Sequence, residues 1–401
     1  MSRIAIIGPV YPYRAGIAYC TTRLAEELAK RHQVETISFS RQYPKRFYPG
    51  GGGDIDESLR SKTPRGARFV LDVLNPLTWL WTALRIRFQR PDVVIIVWWV
   101  WVWALPYRLI LALLPRTTRV IIQCHNILDK EPANWKTTLS NLLMRRGDVL
   151  VVHAQTEADE AAHRLPGKRI VKTFLPVHEL GGETPPREDA RRRLGIAPDQ
   201  KIALFFGHVR PFKGLDIALR AWRDVRSGAL LLVAGEAWWK SEQEYRDLAA
   251  KLSLHVIPSL AERQAAAAEA GAGDPTFVQD DVNDDRPAVS FDFRFIPDAE
   301  IATFFAACDV VLAPYRVEAQ SGVALTAFHF RRPVIASAVG GLPEIIEDGL
   351  NGMLVPPEDP RALGRAIDAF FGGRDDMASG ASASAVRYSW AEYAAVLERL
   401  L

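Results

Sequence analysis

One stretch, residues 314–357, constrains the possible fold more than any other: PYRVEAQSGVALTAFHFRRPVIASAVGGLPEIIEDGLNGMLVPP. Ser321-Gly322 opens an apolar segment of helical character, Val323–Phe330, which leads into a strand at Pro333–Ala336 and a second glycine-rich turn at Gly340-Gly341. Both loops therefore present backbone N–H groups at the same edge of a predicted sheet. Unpaired N–H groups and the helix dipole favour an anion at a helix N-terminus, so the stretch predicts a diphosphate-bearing ligand.

A short apolar strand followed by a glycine-containing loop and an amphipathic helix occurs twice along the chain. The pattern begins at Ile4–Ile7 and begins again at Ile202–Phe206, where the turn Gly207–Gly214 and the helix Leu215–Val225 follow. This alternation predicts α/β domains built on parallel sheets. Residues 176–187, PVHELGGETPPR, are rich in proline and glycine and predict the linker between two domains. We therefore expect domains at 1–178 and 188–375, and a C-terminal helix within 376–401 that packs back on the first domain.

One apolar stretch, Val93–Leu114, has about the length of a membrane span. Pro106 and Arg108 interrupt it, and we interpret it as a buried strand, Val93–Trp98, followed by a helix, Ala104–Leu114. The tryptophans in this region, at 98, 99, 101 and 103, are expected in the core. The alternative is a lip that faces lipid, because tryptophan favours membrane interfaces.

Charge is distributed unevenly along the chain. Residues 1–180 hold 26 Lys and Arg against 15 Asp and Glu, a net +11, and the whole-chain totals of 50 and 47 leave −8 for the remainder. Such a basic half favours an anionic membrane or a phosphate-bearing acceptor, although a solvated surface is the alternative. Three cysteines without metal-like spacing and a start, MSRIAIIG, that leads directly into a strand predict a cytoplasmic protein.

Several further elements are predicted from local pattern. Residues 41–68 are expected to form a long mobile loop, followed by a helix around Val73–Arg87. Phe291–Phe295 is predicted to be a strand, and Asp298–Cys308 a helix with Asp298 as its N-cap. The acidic run Asp280–Asp285 invites a metal site, but it lies in an insertion rich in proline and glycine, so we interpret it as a solvated loop.

Two residues of the first half are candidates for a site. Gly16, in the loop after the first strand, would let backbone approach a phosphate or a sugar, but a plain turn glycine is the alternative because no G-x-G-x-x-G motif surrounds it. His125 follows the strand Val120–Gln123, where its side chain can reach a cleft at the carboxyl edge of a sheet. A structural histidine is the alternative there.

Laid end to end, these pieces resemble the retaining GT-B glycosyltransferases of family 4, which use nucleotide-sugar donors. The segments that carry the resemblance are GHVRPFKGLD (207–216), LLVAGE (231–236), FIPDAEIATFFAACDVVLAPY (295–315), the opening stretch and GLNGMLVPP (349–357). GPVYPYRAGIA and the CHN at 124–126 fit the acceptor-side lobe. The resemblance implies two Rossmann-like domains that face each other across a cleft.

The resemblance also assigns site residues in the second half. Lys213 matches the lysine that binds the donor diphosphate, and Arg210 would replace an arginine that the family has where this chain has His208. Two cations on the leaving diphosphate would remove the need for a metal. Glu318 matches the first glutamate of the E-x7-E pair, near the donor sugar. Ordinary turn cations are the alternative for Lys213 and Arg210.

The remaining donor positions frame the nucleotide and its diphosphate. Their candidates are Gly207, Ser321, Gly322, Val323, Thr326, Gly341 and Glu344. Thr326 stands where the family has its second glutamate, which contacts the ribose, so the identity of the nucleotide is left open. Gly16 and His125 match positions that face the transferred sugar.

The resemblance implies a metal-independent hexosyltransferase without a cofactor, which moves sugar from a UDP-sugar or a GDP-sugar to a glycan or lipid-linked acceptor, in polysaccharide biosynthesis. The basic half and the tryptophans favour peripheral contact with an anionic membrane at its inner face, and no nucleic-acid partner is expected. Three alternatives remain: a silent sugar-nucleotide-binding protein, an epimerase or phosphorylase on the same fold, and a retaining glycosidase that pairs Glu318 with Glu344.

Overall fold

The computed structural model describes residues 1–14, 16–43, 55–127, 134–179, 183–237, 241–259, 262–263, 286–317, 320–373 and 377–401. The chain divides into two units, Met1–Pro176 together with Tyr388–Leu401, and Val177–Arg387. The boundary at Pro176 falls at the start of the predicted linker.

The first unit is built on a parallel sheet whose described strands number seven. They are β1 (Arg3–Ile7), β2 (Gln33–Arg41), β3 (Arg68–Asp72), β4 (Val93–Trp98), β5 (Arg119–Cys124), β6 (Val149–Val152) and β7 (Arg169–Lys172). Their spatial order is β3-β2-β1-β4-β5-β6-β7. The helices are α1 (Gly16–Ala29), α2 (Pro76–Gln89), α3 (Ala104–Ala112), α4 (Asn134–Met144), α5 (Gln155–Arg164) and, at the C-terminus, α14 (Trp390–Glu398).

The second unit repeats this architecture. Its strands are β8 (Ile202–Phe206), β9 (Leu230–Ala234), β10 (His255–Pro258), β11 (Ala288–Asp292), β12 (Val310–Ala313), β13 (Val334–Ser337) and β14 (Gly352–Val355), in the order β10-β11-β9-β8-β12-β13-β14. Its helices are α6 (Arg187–Arg193), α7 (Leu215–Trp222), α8 (Glu242–Lys251), α9 (Asp298–Ala307), α10 (Gly322–His329), α11 (Leu342–Ile345), α12 (Pro360–Phe371) and α13 (Ala378–Arg387). The prediction of an α/β fold with two parallel-sheet domains is confirmed.

The central strands are apolar because helices cover both faces of a parallel sheet. Every residue of β4, β9 and β12 is buried, which explains why these strands were found as short apolar runs. Helix starts follow local capping chemistry: the Asn75 side chain accepts a hydrogen bond from the Leu77 N–H at the start of α2, and Ser241 and Glu244 form a capping box at the start of α8.

In the stretch Val93–Leu114 the predicted strand Val93–Trp98 is confirmed, and the predicted helix begins at Ala104 but ends at Ala112. A short 3₁₀ turn at Trp101–Trp103, which was not predicted, joins them. Trp98, Trp99 and Trp103 are buried, so the expectation that they belong to the core is confirmed for these three. Within the part of the chain that the structure describes, none of the helices combines the length and the hydropathy that crossing a bilayer requires.

The C-terminal helix α14 packs against α1, as predicted. The Trp390 indole donates a hydrogen bond to the Tyr19 hydroxyl over 3.3 Å, and the Gln123 amide donates to the Tyr393 hydroxyl over 2.8 Å. The tail is not a single helix, however. Ser389 accepts a hydrogen bond from the Glu392 N–H and caps a new helix, so α13 ends before α14 begins.

Other local predictions were wrong in detail. The predicted loop 41–68 contains a 3₁₀ helix at Glu57–Lys62, capped by Asp56, and the strand β3 begins at its end. The strand predicted at Phe291–Phe295 is Ala288–Asp292, where pairing with β9 and β10 sets the register. Pro297, not Asp298, caps α9, and Asp298 lies in its first turn. The acidic run 280–285 is outside the described residues.

Two buried histidines predict how stability depends on pH. Burial lowers the pKa of His153, in the first unit, and of His178, in the second, from the ordinary 6.5 to about 4. Both are therefore neutral when folded and take up a proton more readily when unfolded. As the pH is lowered from about 6.5 to about 4, we expect the free energy of unfolding to fall by about 1.4 kcal/mol per pH unit for each histidine.

Denaturant titrations across this pH range measure the slope. His153→Asn removes one titrating group and should make the slope shallower, whereas His163→Gln, at an exposed position, should leave it unchanged. A slope that is equally steep in His153→Asn would contradict the assignment.

Candidate functional site

The strand order of the second unit reverses at β8. This strand pairs with β9 on one side and with β12 on the other. The loops that follow β8 and β12 both leave from the carboxyl edge of the sheet. In open parallel sheets, the crevice at such a reversal is where ligands bind. The loop of residues 207–214 follows β8, and the described residues 314–317 and 320–321 follow β12. The sequence marks the second loop for an anion, and the family resemblance adds Lys213 of the first.

Tyr315 joins these two loops. The Lys213 ammonium nitrogen lies 3.8 Å from the centroid of the Tyr315 ring, a cation–π contact. On the other side, the Ser321 hydroxyl donates to the Tyr315 hydroxyl over 3.5 Å. Tyr315 and Ser321 are buried, whereas Lys213 is half-buried. The contact holds the lysine side chain over Tyr315, and Tyr315 in turn contacts the first residue before α10.

Ser321 is the N-cap of α10. Its side chain accepts a hydrogen bond from the Ala324 N–H over 3.2 Å, which satisfies one of the amides at this helix end. Helix geometry directs the amides of Gly322 and Val323 out of the helix end, and both residues are half-exposed. These groups and the helix dipole are suited to an anion.

Gly207 brings the first loop against this helix start. Its φ is +93°, a conformation that favours glycine, and a Cβ added there would lie 3.4 Å from a methyl carbon of Val323. The structure therefore brings together five of the predicted positions, namely Gly207, Lys213, Ser321, Gly322 and Val323.

Gly214 lets the loops approach each other closely. Its φ is +72°, and a Cβ added there would lie only 2.0 Å from the Pro314 carbonyl oxygen. Next to this contact the Arg316 N–H donates to the Phe212 carbonyl over 2.8 Å. The Arg316 guanidinium donates to both carboxylate oxygens of Asp216 over 2.8 and 2.7 Å. The loops after β8 and β12 are thus fixed to one another by backbone packing and by a bidentate ion pair.

His178 explains why the residue after Ser321 is glycine. A Cβ on Gly322 would lie 2.6 Å from the Cε1 atom of the His178 ring, so the imidazole occupies the space beside the helix start. Burial lowers the pKa of His178 to about 4, which keeps the ring neutral near pH 7. The helix end therefore faces an uncharged imidazole on this side.

Arg210 belongs to the same cationic loop. Its guanidinium carbon lies 5.9 Å from the centroid of the Phe212 ring, and the Lys213 nitrogen lies 5.6 Å from the same centroid. One ring thus has both predicted cations beside it. His208, which stands in place of the family arginine, has its Nδ1 atom 3.9 Å from a carboxylate oxygen of Glu236.

Thr326 is buried one turn into α10. Its hydroxyl donates to the Gly322 carbonyl over 2.8 Å, so its proton is committed to its own helix and only the oxygen lone pairs remain for a ligand. A glutamate would reach beyond the helix from this position, and the threonine does not.

Gly341 and Glu344 lie in the next loop, after β13, which pairs with β12. Gly341 immediately precedes the four-residue helix α11, and Glu344 is half-exposed within it. They share the carboxyl edge of the sheet with the two loops described above. Glu318, the predicted contact to the donor sugar, lies outside the described residues.

The two predicted residues of the first half belong to the first unit. Gly16 is the first residue of α1, next to β1, at which the strand order of that sheet reverses. The His125 N–H donates to the Trp98 carbonyl over 2.8 Å at the end of β4, and its ring lies 5.3 Å from the ring of the buried His153. Both residues lie at the carboxyl edge of their sheet.

Sequence reasoning missed three residues of the second-unit site: Tyr315, Arg316 and His178. Tyr315 and Arg316 directly follow the strand β12, and that position was the available signal. The contact of His178 with Gly322 joins positions far apart in the chain and had no local signal. Among the described residues, no group of three or more His, Cys, Asp or Glu side chains is arranged to hold a metal ion.

Comparison with known families covers most of the chain. A family described as "Glycosyl transferase 4-like domain" matches residues 15–178, and one described as "Glycosyl transferases group 1" matches residues 248–372. Among curated relatives, D-inositol 3-phosphate glycosyltransferase of Geodermatophilus obscurus is 31% identical over 259 residues, which cover 62% of this chain and 51% of the relative. The protein of the same name from Xylanimonas cellulosilytica is 29% identical over 262 residues, 62% of this chain and 55% of the relative. The chain thus spans about half the length of the curated relatives it matches.

Solved structures share the fold at low identity. Sucrose-phosphate synthase from Thermosynechococcus elongatus superposes with a TM-score of 0.66 at 17% identity, covering 100% of this chain and 98% of that one. HepE of Anabaena in complex with UDP and glucose gives a TM-score of 0.69 at 16% identity, covering 100% and 99%. The solved structures show the GT-B fold alone. The two family matches, which together cover most of the chain, show that it belongs to the glycosyltransferases, with a 4-like domain at residues 15–178 and a group 1 domain at residues 248–372.

Proposed function

We propose that the protein is a retaining, metal-independent glycosyltransferase that moves a sugar from a nucleotide diphosphate sugar to a saccharide or lipid-linked acceptor. The observation that carries the proposal is the junction of two loops by Tyr315, which holds the Lys213 cation beside the amide-bearing start of α10. A cation and a helix N-terminus at one crevice match the two negative charges of a diphosphate.

The donor is proposed to be a UDP-sugar or a GDP-sugar, and no cofactor is required. The known complex of HepE with UDP and glucose, on the same fold, supports a uridine donor. The Thr326 hydroxyl, which accepts but cannot donate to a ligand, would contact a ribose more weakly than a glutamate does. Nucleotide selection therefore rests more on the base and the diphosphate than on the ribose.

The acceptor is proposed to be a sugar or polyol that belongs to a glycan or lipid-linked intermediate of polysaccharide biosynthesis. The inositol phosphate named in the curated relatives adds a phosphate-bearing polyol to the acceptors that a screen must include. The basic first half, with a net charge of +11 over residues 1–180, supports an anionic acceptor. We place the protein in the cytoplasm, in peripheral contact with the inner face of a membrane.

In the proposed mechanism the acceptor hydroxyl attacks the anomeric carbon from the face that the leaving diphosphate occupies. The leaving phosphate oxygen takes the acceptor proton, so no protein base is needed. Lys213 and Arg210 neutralise the charge that develops on the diphosphate as the glycosidic bond breaks. His125 and Gly16 would line the acceptor side, and Glu318 would bind the donor sugar.

A screen of nucleotides by thermal shift tests the donor assignment. A ligand at a hundredfold excess over its Kd stabilises the folded state by about 2.7 kcal/mol, which a melting curve detects. We expect UDP or GDP, and the corresponding sugars, to raise the melting temperature. If the purified protein neither binds nor hydrolyses any UDP-, GDP- or ADP-sugar, the proposal is overturned.

Retention is tested by proton NMR of the product. From a donor with an α-linked sugar, we expect an α-linked product. A β-linked product would show inversion and refute the mechanism while leaving transfer itself intact. Binding of donor without transfer to any acceptor would favour a silent sugar-nucleotide-binding protein.

The role of the lysine is tested by Lys213→Met, which keeps an apolar stem over Tyr315 and removes the charge. Loss of a charge-assisted contact of about 1.5–3 kcal/mol predicts a roughly 10–100-fold weaker Kd for UDP or GDP, with little change in melting temperature. Lys251→Met, at the exposed end of α8, is the matched control and should bind as the wild type does. Calorimetry that gives the same Kd for Lys213→Met would refute the assignment.

The loop junction is tested by a pair of glycine substitutions. Gly214 and Gly228 have φ values of +72° and +69°, but a Cβ meets the Pro314 carbonyl at the first and nothing within 4 Å at the second. Gly228→Ala should cost about 1 kcal/mol of stability, whereas Gly214→Ala should cost about 2–5 kcal/mol and weaken donor binding. Equal effects of the two substitutions on stability would show that the close approach is not required.

A further inference from the structure

The outward face of α2 carries apolar side chains where a surface helix normally carries polar ones. The residues of this helix that pack inward are Thr82, Ala83 and Ile86. On the opposite side, at about 100° per residue, lie exposed leucines and aromatic residues. Phe88 is 82% exposed and Leu77 is 74% exposed, with Trp81 and Leu84 between them.

Neighbouring helices extend this surface. Helix α2 packs against α3, and α3 packs against α4. Leu105 and Leu109 are exposed on α3, and Trp135 and Leu142 are exposed on α4. We call the exposed apolar side chains of these three helices the apolar face. Within the described residues, most exposed large apolar side chains belong to it, so it is a concentrated feature of the surface.

The three helices of the apolar face carry cations and no acidic residues of their own. The sequences of α2, α3 and α4 contain no Asp and no Glu. Arg85 and Arg87 lie on either side of the apolar ridge of α2, with Arg85 held by Glu35 and Arg87 donating to the Leu113 carbonyl. On α4 the Lys136 ammonium lies 5.4 Å from the centroid of the Trp101 ring, which itself packs edge-on against Trp135.

We propose that the apolar face of α2, α3 and α4 docks on an anionic lipid bilayer. An exposed ridge of Leu, Trp and Phe suits insertion at the boundary between headgroups and acyl chains, where tryptophan is favoured. Arginine and lysine beside it contact anionic headgroups, each contributing to binding as the surface potential attracts them.

Charge argues against a second copy as the occupant. In a symmetric dimer the same face would pack on itself, so the arginines of α2 would meet three helices whose own sequences contain no Asp or Glu, and the Glu35 carboxylate beside them is already paired with Arg85. Like charges at a desolvated interface oppose such packing. An anionic bilayer supplies the negative charge that these three helices lack.

This inference deepens the membrane contact in the proposed function and rests on it, but it does not depend on the donor chemistry. It also assigns the membrane contact to a different part of the first unit than the sequence suggested. The tryptophans considered as a lipid-facing lip from sequence are largely core, whereas α2 supplies most of the exposed surface.

Flotation of the full chain with vesicles tests the proposal. We expect binding to vesicles of phosphatidylcholine with phosphatidylglycerol, and at least about tenfold weaker binding to phosphatidylcholine alone or at high salt. The combined variant Leu77→Ser, Trp81→Ser and Phe88→Ser should bind the anionic vesicles at least about tenfold more weakly than the wild type.

The matched control combines Leu350→Ser and Val386→Ser, two exposed apolar positions of the second unit, and should bind as the wild type does. An unchanged melting temperature and an unchanged nucleotide-induced thermal shift establish that the triple variant is folded. Wild-type protein that stays with the soluble fraction, or a triple variant that binds equally well, would overturn the proposal. The proposal would also be overturned if the wild-type protein forms a dimer and does not bind vesicles, and if the triple variant is monomeric. Vesicle binding without nucleotide binding would refute the donor assignment and leave this inference standing.

Discussion

The close approach of Gly214 to the Pro314 carbonyl is the constraint on which the candidate site depends. It lets the loops after β8 and β12 touch at the strand-order reversal, which brings Lys213 over the Tyr315 ring and Tyr315 within reach of Ser321. The bidentate pair between Arg316 and Asp216 keeps them there. A cation and a helix end that come from separate βα connections are thereby brought together on one surface, which we propose binds the donor diphosphate.

Two neighbouring residues, His178 and Thr326, restrict the chemistry of this surface. His178 is neutral because it is buried, and its ring fills the space that a side chain on residue 322 would need, so this position is restricted to glycine. Thr326 closes a hydrogen bond within α10, so the position proposed to meet the ribose has no carboxylate. The proposed site would therefore select the diphosphate more strongly than a particular nucleoside.

Much of this could be predicted from sequence because it is local. Apolar runs between glycine loops located most strands, and the Ser321-Gly322 pair located the start of α10 to within a residue. What sequence missed depends on tertiary contacts. Tyr315 looked like any aromatic residue after a buried strand, and His178 meets Gly322 from far along the chain. The apolar ridge of α2 has the periodicity of a core-facing helix, and only the buried Thr82, Ala83 and Ile86 show that the ridge faces outward.

The central claim is that the loops after β8 and β12 bind a donor diphosphate together. A crystal structure of the protein with UDP or GDP tests it most directly. The account predicts phosphate oxygens within hydrogen-bond distance, about 2.7–3.2 Å, of the Lys213 ammonium and of the Gly322 or Val323 amide. A diphosphate bound away from the start of α10, or one with no oxygen within hydrogen-bond distance of the Lys213 ammonium, would contradict it.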